Sequence, residues 1–243
     1  MRSLLIGGSG FLGKSILESI AFSETLTASS PMEQGEYDLV VCAAPSGKKW
    51  LANREPESDL AAVKMLIQRI DLLEARRFVL LSTVDVYENV SNSTEESSRV
   101  LQSNPYGFHR SLVEDFVLGK FENSLVLRLG GLVGPNLVKN PLYDLRHGNE
   151  IFKLNADSQM QFTPVDAIFS YISNYENDWR RIVNLTAPPI RLGELARYVG
   201  LTLKRDAPRI SYDVKTIWVN DARFRYIVSL EESLAAIRSY LQP

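Results

Sequence analysis

The chain reads as an α/β protein, a doubly wound parallel sheet with a small C-terminal lobe, and three observations carry that reading. A short apolar run, Leu4 to Ile6, opens without a linker into glycines at positions 7, 8, 10 and 13. Apolar runs of strand length then alternate with stretches of helical periodicity, the order that builds βαβ units. Hydroxyl and small residues follow several of these runs directly, at the strand ends where open α/β sheets place their sites.

Composition bounds the answer. At 243 residues the chain is long enough to bury a full core. It is 45% hydrophobic and 23% charged with a formal net charge of −2, and no basic block points to nucleic acid. The single cysteine, Cys42, lies in an apolar run, which excludes an intramolecular disulfide and suits a reducing cytoplasm. His109 and His147 are too few and too isolated for a metal site by themselves. No apolar run reaches membrane-spanning length, and the first residues read as a strand rather than a signal peptide.

Taken in order, residues 4–6 form a buried strand, 7–13 a tight glycine turn, and Ile16, Leu17 and Ile20 a helix. Gly7 lets the chain turn, Gly10 leaves room for a phosphate, and Gly13 lets the helix pack against the strand. Free N–H groups at the helix start, with the helix dipole behind them, favour a pyrophosphate. The spacing Gly7-x-x-Gly10-x-x-Gly13 departs from the commoner G-x-G-x-x-G, and a purely structural turn is the plainer alternative.

Residues 26–30 read as a second strand ending in Ser29 and Ser30, where an acid would pair with the ribose hydroxyls of NAD. Serines there tolerate a 2′-phosphate and tilt the expectation slightly toward NADP; equally, they cap a turn. Too few residues separate Pro31 from the next strand, 38–43, for a full helical crossover. That strand ends in Ala43 and Ala44, small enough for a cofactor to approach. A helix over 56–74 and a strand over 78–81 follow. The latter delivers Ser82-Thr83-Val84-Asp85-Val86-Tyr87. A polar loop leads to Pro105 at the first position of a helix running to Gly119. Tyr106 and Arg110 lie one turn apart on one face of it. A strand-end hydroxyl, a phenol and a cation suit proton transfer to a carbonyl, the cation favouring phenolate.

These pieces together resemble the extended or atypical short-chain dehydrogenase/reductases of the nucleotide-sugar epimerase/dehydratase type. The matching stretches are Gly7-Gly8-Ser9-Gly10-Phe11-Leu12-Gly13, Cys42-Ala43-Ala44, Ser82-Thr83-Val84-Asp85-Val86-Tyr87 and Pro105-Tyr106-Gly107-Phe108-His109-Arg110. Leu127-Arg128-Leu129-Gly130-Gly131-Leu132-Val133-Gly134-Pro135 and Phe162-Thr163-Pro164-Val165-Asp166 complete the ordered set.

The resemblance implies a Rossmann domain over 1–135, completed by about 160–186, and a substrate lobe over 136–159 and 187–243. It implies NADP or NAD beside Gly7, Gly10, Phe11, Leu12, Gly13, Ala43 and Ala44. Thr83 would hold the substrate oxygen and Tyr106 would exchange its proton. Arg110 would bias the phenol and hold the nicotinamide ribose. Asn136, Lys139, Asn140 and His147 fall where relatives meet a nucleotide-sugar, although plain surface polarity explains them as well. A cytoplasmic homodimer, paired through the helices near 56–74 and 105–119, is the implied assembly, with Ala61, Met65 and Phe116 as candidate contacts, intramolecular core being the alternative for all three.

Two departures stand out. The family's Tyr-x-x-x-Lys reads Tyr106-x-x-x-Arg110, and Asp166 is followed by Ala167 rather than a second acid. Restoring lysine at 110 is therefore expected to raise activity, and a cofactor-binding protein with little turnover is the alternative. In the last part of the chain, Arg128 reads as a structural ion-pair partner. Residues 125–129 and 182–185 read as strands, and 192–199 and 230–241 as helices. Tyr212, Trp218 and Arg223 are either pocket lining or core.

Overall fold

The computed structural model describes residues 1–174, 181–219 and 225–242; Arg223 lies outside the described residues. The first half runs β1 (Ser3–Ile6), α1 (Phe11–Ser19), β2 (Glu24–Leu26), β3 (Gly35–Tyr37), β4 (Leu39–Cys42), α2 (Lys49–Arg54), α3 (Pro56–Ile70), β5 (Leu73–Ala75) and β6 (Phe78–Thr83). After a polar loop come α4 (Pro105–Lys120), β7 (Ser124–Leu129), β8 (Gly131–Val133), α5 (Pro141–His147), β9 (Gln159–Met160), β10 (Phe162–Pro164) and α6 (Val165–Asn174). The chain ends with β11 (Ile182–Leu185), β12 (Ile190–Arg191), α7 (Leu192–Tyr198) and α8 (Leu230–Leu241). No described helix is long and apolar enough to cross a membrane.

Six strands form the main sheet in the order β11-β7-β6-β4-β1-β2. β1 pairs parallel with both β2 and β4, with Ile6 opposite Leu26 on one side and Cys42 on the other. β4 pairs parallel with β6. The connection direction therefore reverses beside β1, the switch point at which such sheets bind ligands. β1, β4 and β7 are buried along their whole length, as strands covered on both faces are. Leu4, Ile6, Val40, Cys42, Phe78 and Leu80 pack with Val63, Leu66 and Ile70 of α3 and Val113 and Val117 of α4. Burial pushes the Cys42 thiol up to about 12, so it stays protonated as a small apolar filler.

The chain forms two compact units. One comprises Met1–Asn89, Ser97–Arg128 and Ile172–Val183; the other comprises Val90–Glu96, Leu129–Tyr171 and Asn184–Pro243. In the second, β8 pairs parallel with β10, and Ser233 of α8 donates to the Phe162 carbonyl at 2.8 Å. Glu95 ties it together, accepting from the Asn184 and Ile217 N–H groups and from the Thr216 hydroxyl at 2.6–2.9 Å.

Two expected elements differ. The second strand ends at Leu26, because Thr27 and Ser30 bond each other's backbone and side chains and so turn the chain away from the ladder. The helix from Pro56 stops at Ile70, and Leu73–Ala75 pairs in parallel with Gly35–Tyr37. Gly35–Tyr37 lies in the connection between β2 and β4, which contains no helix. The helix α2 is an addition to the elements read from the sequence.

Candidate active site

Gly7, Gly13 and Ala43 form a close-packed stack at the switch point. Gly7 has φ of +95°, and a Cβ there would meet the Ala43 carbonyl at 2.9 Å. A Cβ on Gly13 would fall on the Gly7 carbonyl oxygen. Gly10 differs: it is exposed, and an added Cβ would make only ordinary contact, 3.5 Å, with the protein. Gly10 is the N-cap of α1 and has no side chain to bond the first N–H groups, and the first turn carries no acid. Those donors and the dipole are left for an anion. Phe11 and Leu12 are half-buried in that first turn, Ala43 is half-buried and Ala44 is buried. This cradle fits the pyrophosphate of a dinucleotide.

Beyond β2, Ser29 is exposed and Ser30 half-buried, and both share hydrogen bonds with Thr27. Arg69, from the last turn of α3, donates to the Ala28 carbonyl at 2.5 Å. A cation thus stands one residue from the serines. Its distance of 41 residues along the chain hid it from sequence reading.

Thr83 ends β6 and Tyr106 opens α4. Gly107 brings the two segments together, since a Cβ on it would fall on the Asp85 carbonyl. The phenol lies near Thr83 and is almost fully buried. Burial raises its pKa above the ordinary value, and Asp85 adds to this. Arg110, Thr83 and Lys49 pull the other way without cancelling it. Asp85 receives the Lys49 ammonium at 2.6 Å, bonds Thr83 through its own N–H at 3.1 Å and accepts the Thr83 hydroxyl at 3.4 Å. On the same face of α2 as Lys49, Asn53 accepts the Tyr106 N–H at 3.0 Å.

Arg110 is buried and already engaged. It grips Asp59 of α3 with both terminal nitrogens and donates to the Ser46 carbonyl at 2.5 Å. His109 adds a third contact to Asp59 at 2.7 Å. Burial works against the Asp59 charge, yet the Arg110 and His109 contacts outweigh it and hold its carboxyl below the usual range. The guanidinium stacks on the Tyr106 ring, 4.3 Å from its centroid. The position that the motif reserves for a ribose-holding lysine is thus occupied by a cation paired within the protein. Lysine at 110 cannot reproduce the two-pronged grip, so the ground for expecting a gain from Arg110→Lys falls away.

In the second unit, the candidate substrate residues have local partners. Asn140 caps α5, accepting from the Leu142 and Tyr143 N–H groups at 2.9 and 3.1 Å. Lys139 pairs with Asp144 and Glu150, each at 2.9 Å. Asn136 adopts a left-handed conformation with φ of 62°. His147 stacks on Tyr143 and bonds its carbonyl. Tyr212 and Trp218 are half-buried. Arg128, in the first unit, is the ion-pair partner anticipated, fully buried against Glu114.

No protein-family model matches the chain, and the search of curated proteins gives no match. Solved structures do match over nearly the whole length. RMD from Pseudomonas aeruginosa, complexed with NADPH, is 19% identical with a TM-score of 0.70, covering 99% of each chain. The dTDP-4-dehydrorhamnose reductase from Yersinia enterocolitica is 17% identical, with a TM-score of 0.71 over 99% of each chain. The UDP-glucose 4-epimerase from Thermotoga maritima, solved with UDP-glucose, is 15% identical, with a TM-score of 0.69 over 99% of this chain and 98% of its own. The fold is the Rossmann fold of these enzymes.

Proposed function

We propose that the protein is a cytoplasmic NAD(P)-dependent oxidoreductase or epimerase acting on a carbonyl or carbinol of a nucleotide-linked sugar. One observation carries this: a buried phenol close to a strand-end hydroxyl, in a unit whose first turn is a glycine cradle open to a pyrophosphate. The similar structures solved with NADPH and with UDP-glucose support both ligand classes. When bound, NAD(P) supplies or accepts the hydride. Gly7, Gly10, Phe11, Leu12 and Gly13 hold its phosphates, with Ala43 and Ala44 alongside. Thr83 orients the substrate oxygen, and Tyr106 gives or takes the proton there. Arg110 braces the phenol ring from behind. Asn136, Lys139 and Asn140, in the second unit, are the candidates for the nucleotide-sugar.

The 2′-phosphate form of the cofactor is slightly favoured, supported by Ser29, Ser30 and the nearby Arg69 guanidinium. Calorimetric titration with NADPH and NADH tests cofactor and cradle together. Gly10→Val should fold normally, since the protein leaves room for its Cβ, and lose both ligands because the side chain fills the phosphate's place. A tenfold preference for NADH, about 1.4 kcal/mol, would reject the NADP assignment. Normal binding by folded Gly10→Val would make the turn purely structural. Turnover on a panel of nucleotide-sugars tests the reaction. Retained binding without turnover would support the sensor or assembly-partner reading, for which the internally paired Arg110 is the argument.

The proposed assembly is a homodimer through α3 and α4. Ala61 and Met65 are exposed on α3, and Phe116 is half-buried on α4. These are the residues that a two-fold helical contact would cover. Light scattering at micromolar concentration should give twice the chain mass; a monomer would reject the pairing.

A further inference from the structure

We propose that Lys49 is the positioning cation of the Tyr106 site, set on α2 to hold Asp85 and Thr83 in place beside the phenol. The inference rests on Tyr106 being the acid/base group proposed above. It begins from the motif position itself. Arg110 carries a positive charge, but Asp59 neutralises it in a two-pronged pair, and the guanidinium lies against the ring. Arg110 still lowers the phenol pKa, but its donors are committed to Asp59 and the Ser46 carbonyl, so it does not reach Asp85. Asp85, by contrast, faces the site as a half-buried carboxylate. Left without a counter-charge, it would disfavour phenolate and compete for the Thr83 hydroxyl that orients the substrate.

Lys49 supplies that counter-charge at 2.6 Å. Its placement is built rather than incidental. Asn53, one turn on, accepts the Tyr106 N–H at 3.0 Å and so fastens the Lys49 face of α2 to the first turn of α4. The charged groups at and around the phenol come from four elements, α2, α3, α4 and the turn after β6. They are Lys49 of α2, Asp85 beyond β6, and Arg110 of α4 with its partners Asp59 and His109. Lys49 and Arg110 lower the phenol's pKa; Asp85 and burial raise it. Removing the Lys49 charge alone must then raise the phenol pKa, and removing Asp85 as well must bring it down again.

The test uses the full chain with 3-fluorotyrosine in place of tyrosine, which lowers every phenol pKa so that titration is complete before alkaline unfolding. Fluorine NMR follows each ring against pH, with Tyr106 assigned by its loss in Tyr106→Phe. Lys49→Met should weaken Tyr106 ionisation several-fold, less than a charge in direct contact would, because Lys49 acts on the phenol from beyond Asp85 and its ammonium is half-exposed. Lys49→Arg should stay near wild type. Lys49→Met with Asp85→Asn should return the titration to wild type or below. An unmoved Tyr106 signal in Lys49→Met would overturn the proposal, as would a double variant that titrates as high as the single one. On a nucleotide-sugar that turns over, the limb of the pH profile belonging to Tyr106 should shift by the same factor. The titration needs no substrate, so the two failures are distinguishable. Shifted ionisation without turnover removes the enzymatic reading and upholds the Lys49 assignment; turnover with unshifted ionisation does the reverse.

Discussion

Replacing Tyr106 with Phe is expected to lower turnover about 10²–10⁴-fold, the usual loss when a general acid/base is removed. The variant is a clean probe because only the hydroxyl leaves. The ring remains buried under the Arg110 guanidinium, and the Tyr106 N–H still meets Asn53. Cofactor affinity and stability should therefore be nearly those of wild type. The direction of the phenol shift adds a second expectation. A phenol whose pKa is raised by burial keeps its proton throughout the neutral range. In the proposed reaction it would protonate a carbonyl oxygen during reduction, whereas oxidation of a carbinol would need the phenolate and should climb with pH. The measurement is kcat/KM for wild type and Tyr106→Phe across pH in both directions. Equal rates for the two proteins would take Tyr106 out of the mechanism.

How much of this was legible beforehand follows from the range of the interactions. The last helix was read at 230–241 and forms Leu230–Leu241, because its signals are local. Ser229 and Glu232 make a capping box, and Leu234, Ile237 and Leu241 repeat at helical spacing. The places of Tyr106 and Thr83 in the fold were likewise legible, one opening a helix behind Pro105 and the other closing an apolar run. The second strand was misplaced because its hydroxyl residues bond their own backbone, a choice that β-propensity does not register. α2 spans only six residues, too few for periodicity to show. Lys49, Asp59 and Arg69 act over 36, 51 and 41 residues of sequence. Nothing near them in the chain announces their partners. Arg110 shows the sharper lesson. Its position in the motif was plain, but whether its charge served the phenol or a neighbouring acid depended on Asp59, half a domain away in sequence.

Replacing Glu114 with Leu is expected to cost about 3–5 kcal/mol of stability, the range for removing one partner of a buried ion pair. Glu114 is fully buried on α4 and accepts from three nitrogen–oxygen contacts of Arg128, at 3.1, 3.2 and 2.6 Å, and from the Ser82 hydroxyl at 2.5 Å. Burial opposes the charge on Arg128. Glu114 and the Tyr87 hydroxyl, the latter at 2.8 Å, more than compensate, so its pKa lies above the ordinary arginine value. Arg128 cannot shed its proton when Glu114 goes, and at 2% exposure it cannot reach water without disturbing the sheet. The penalty is therefore an uncompensated buried cation rather than a lost contact. That distinction is measurable. Glu114→Leu combined with Arg128→Leu should recover most of the loss, since replacing a whole buried pair by apolar groups is often neutral. Urea unfolding of the wild type, both single variants and the double variant reads these differences. A Glu114→Leu loss below about 1 kcal/mol, within the range of an exposed pair, would show that the network does not hold the fold. Ser82 directly precedes Thr83, so the same cycle run on turnover reports how firmly this buried pair fixes the end of β6. Variants that stay folded but lose the Ser82 bond should lose rate through Thr83, and the double variant should regain stability without regaining that rate.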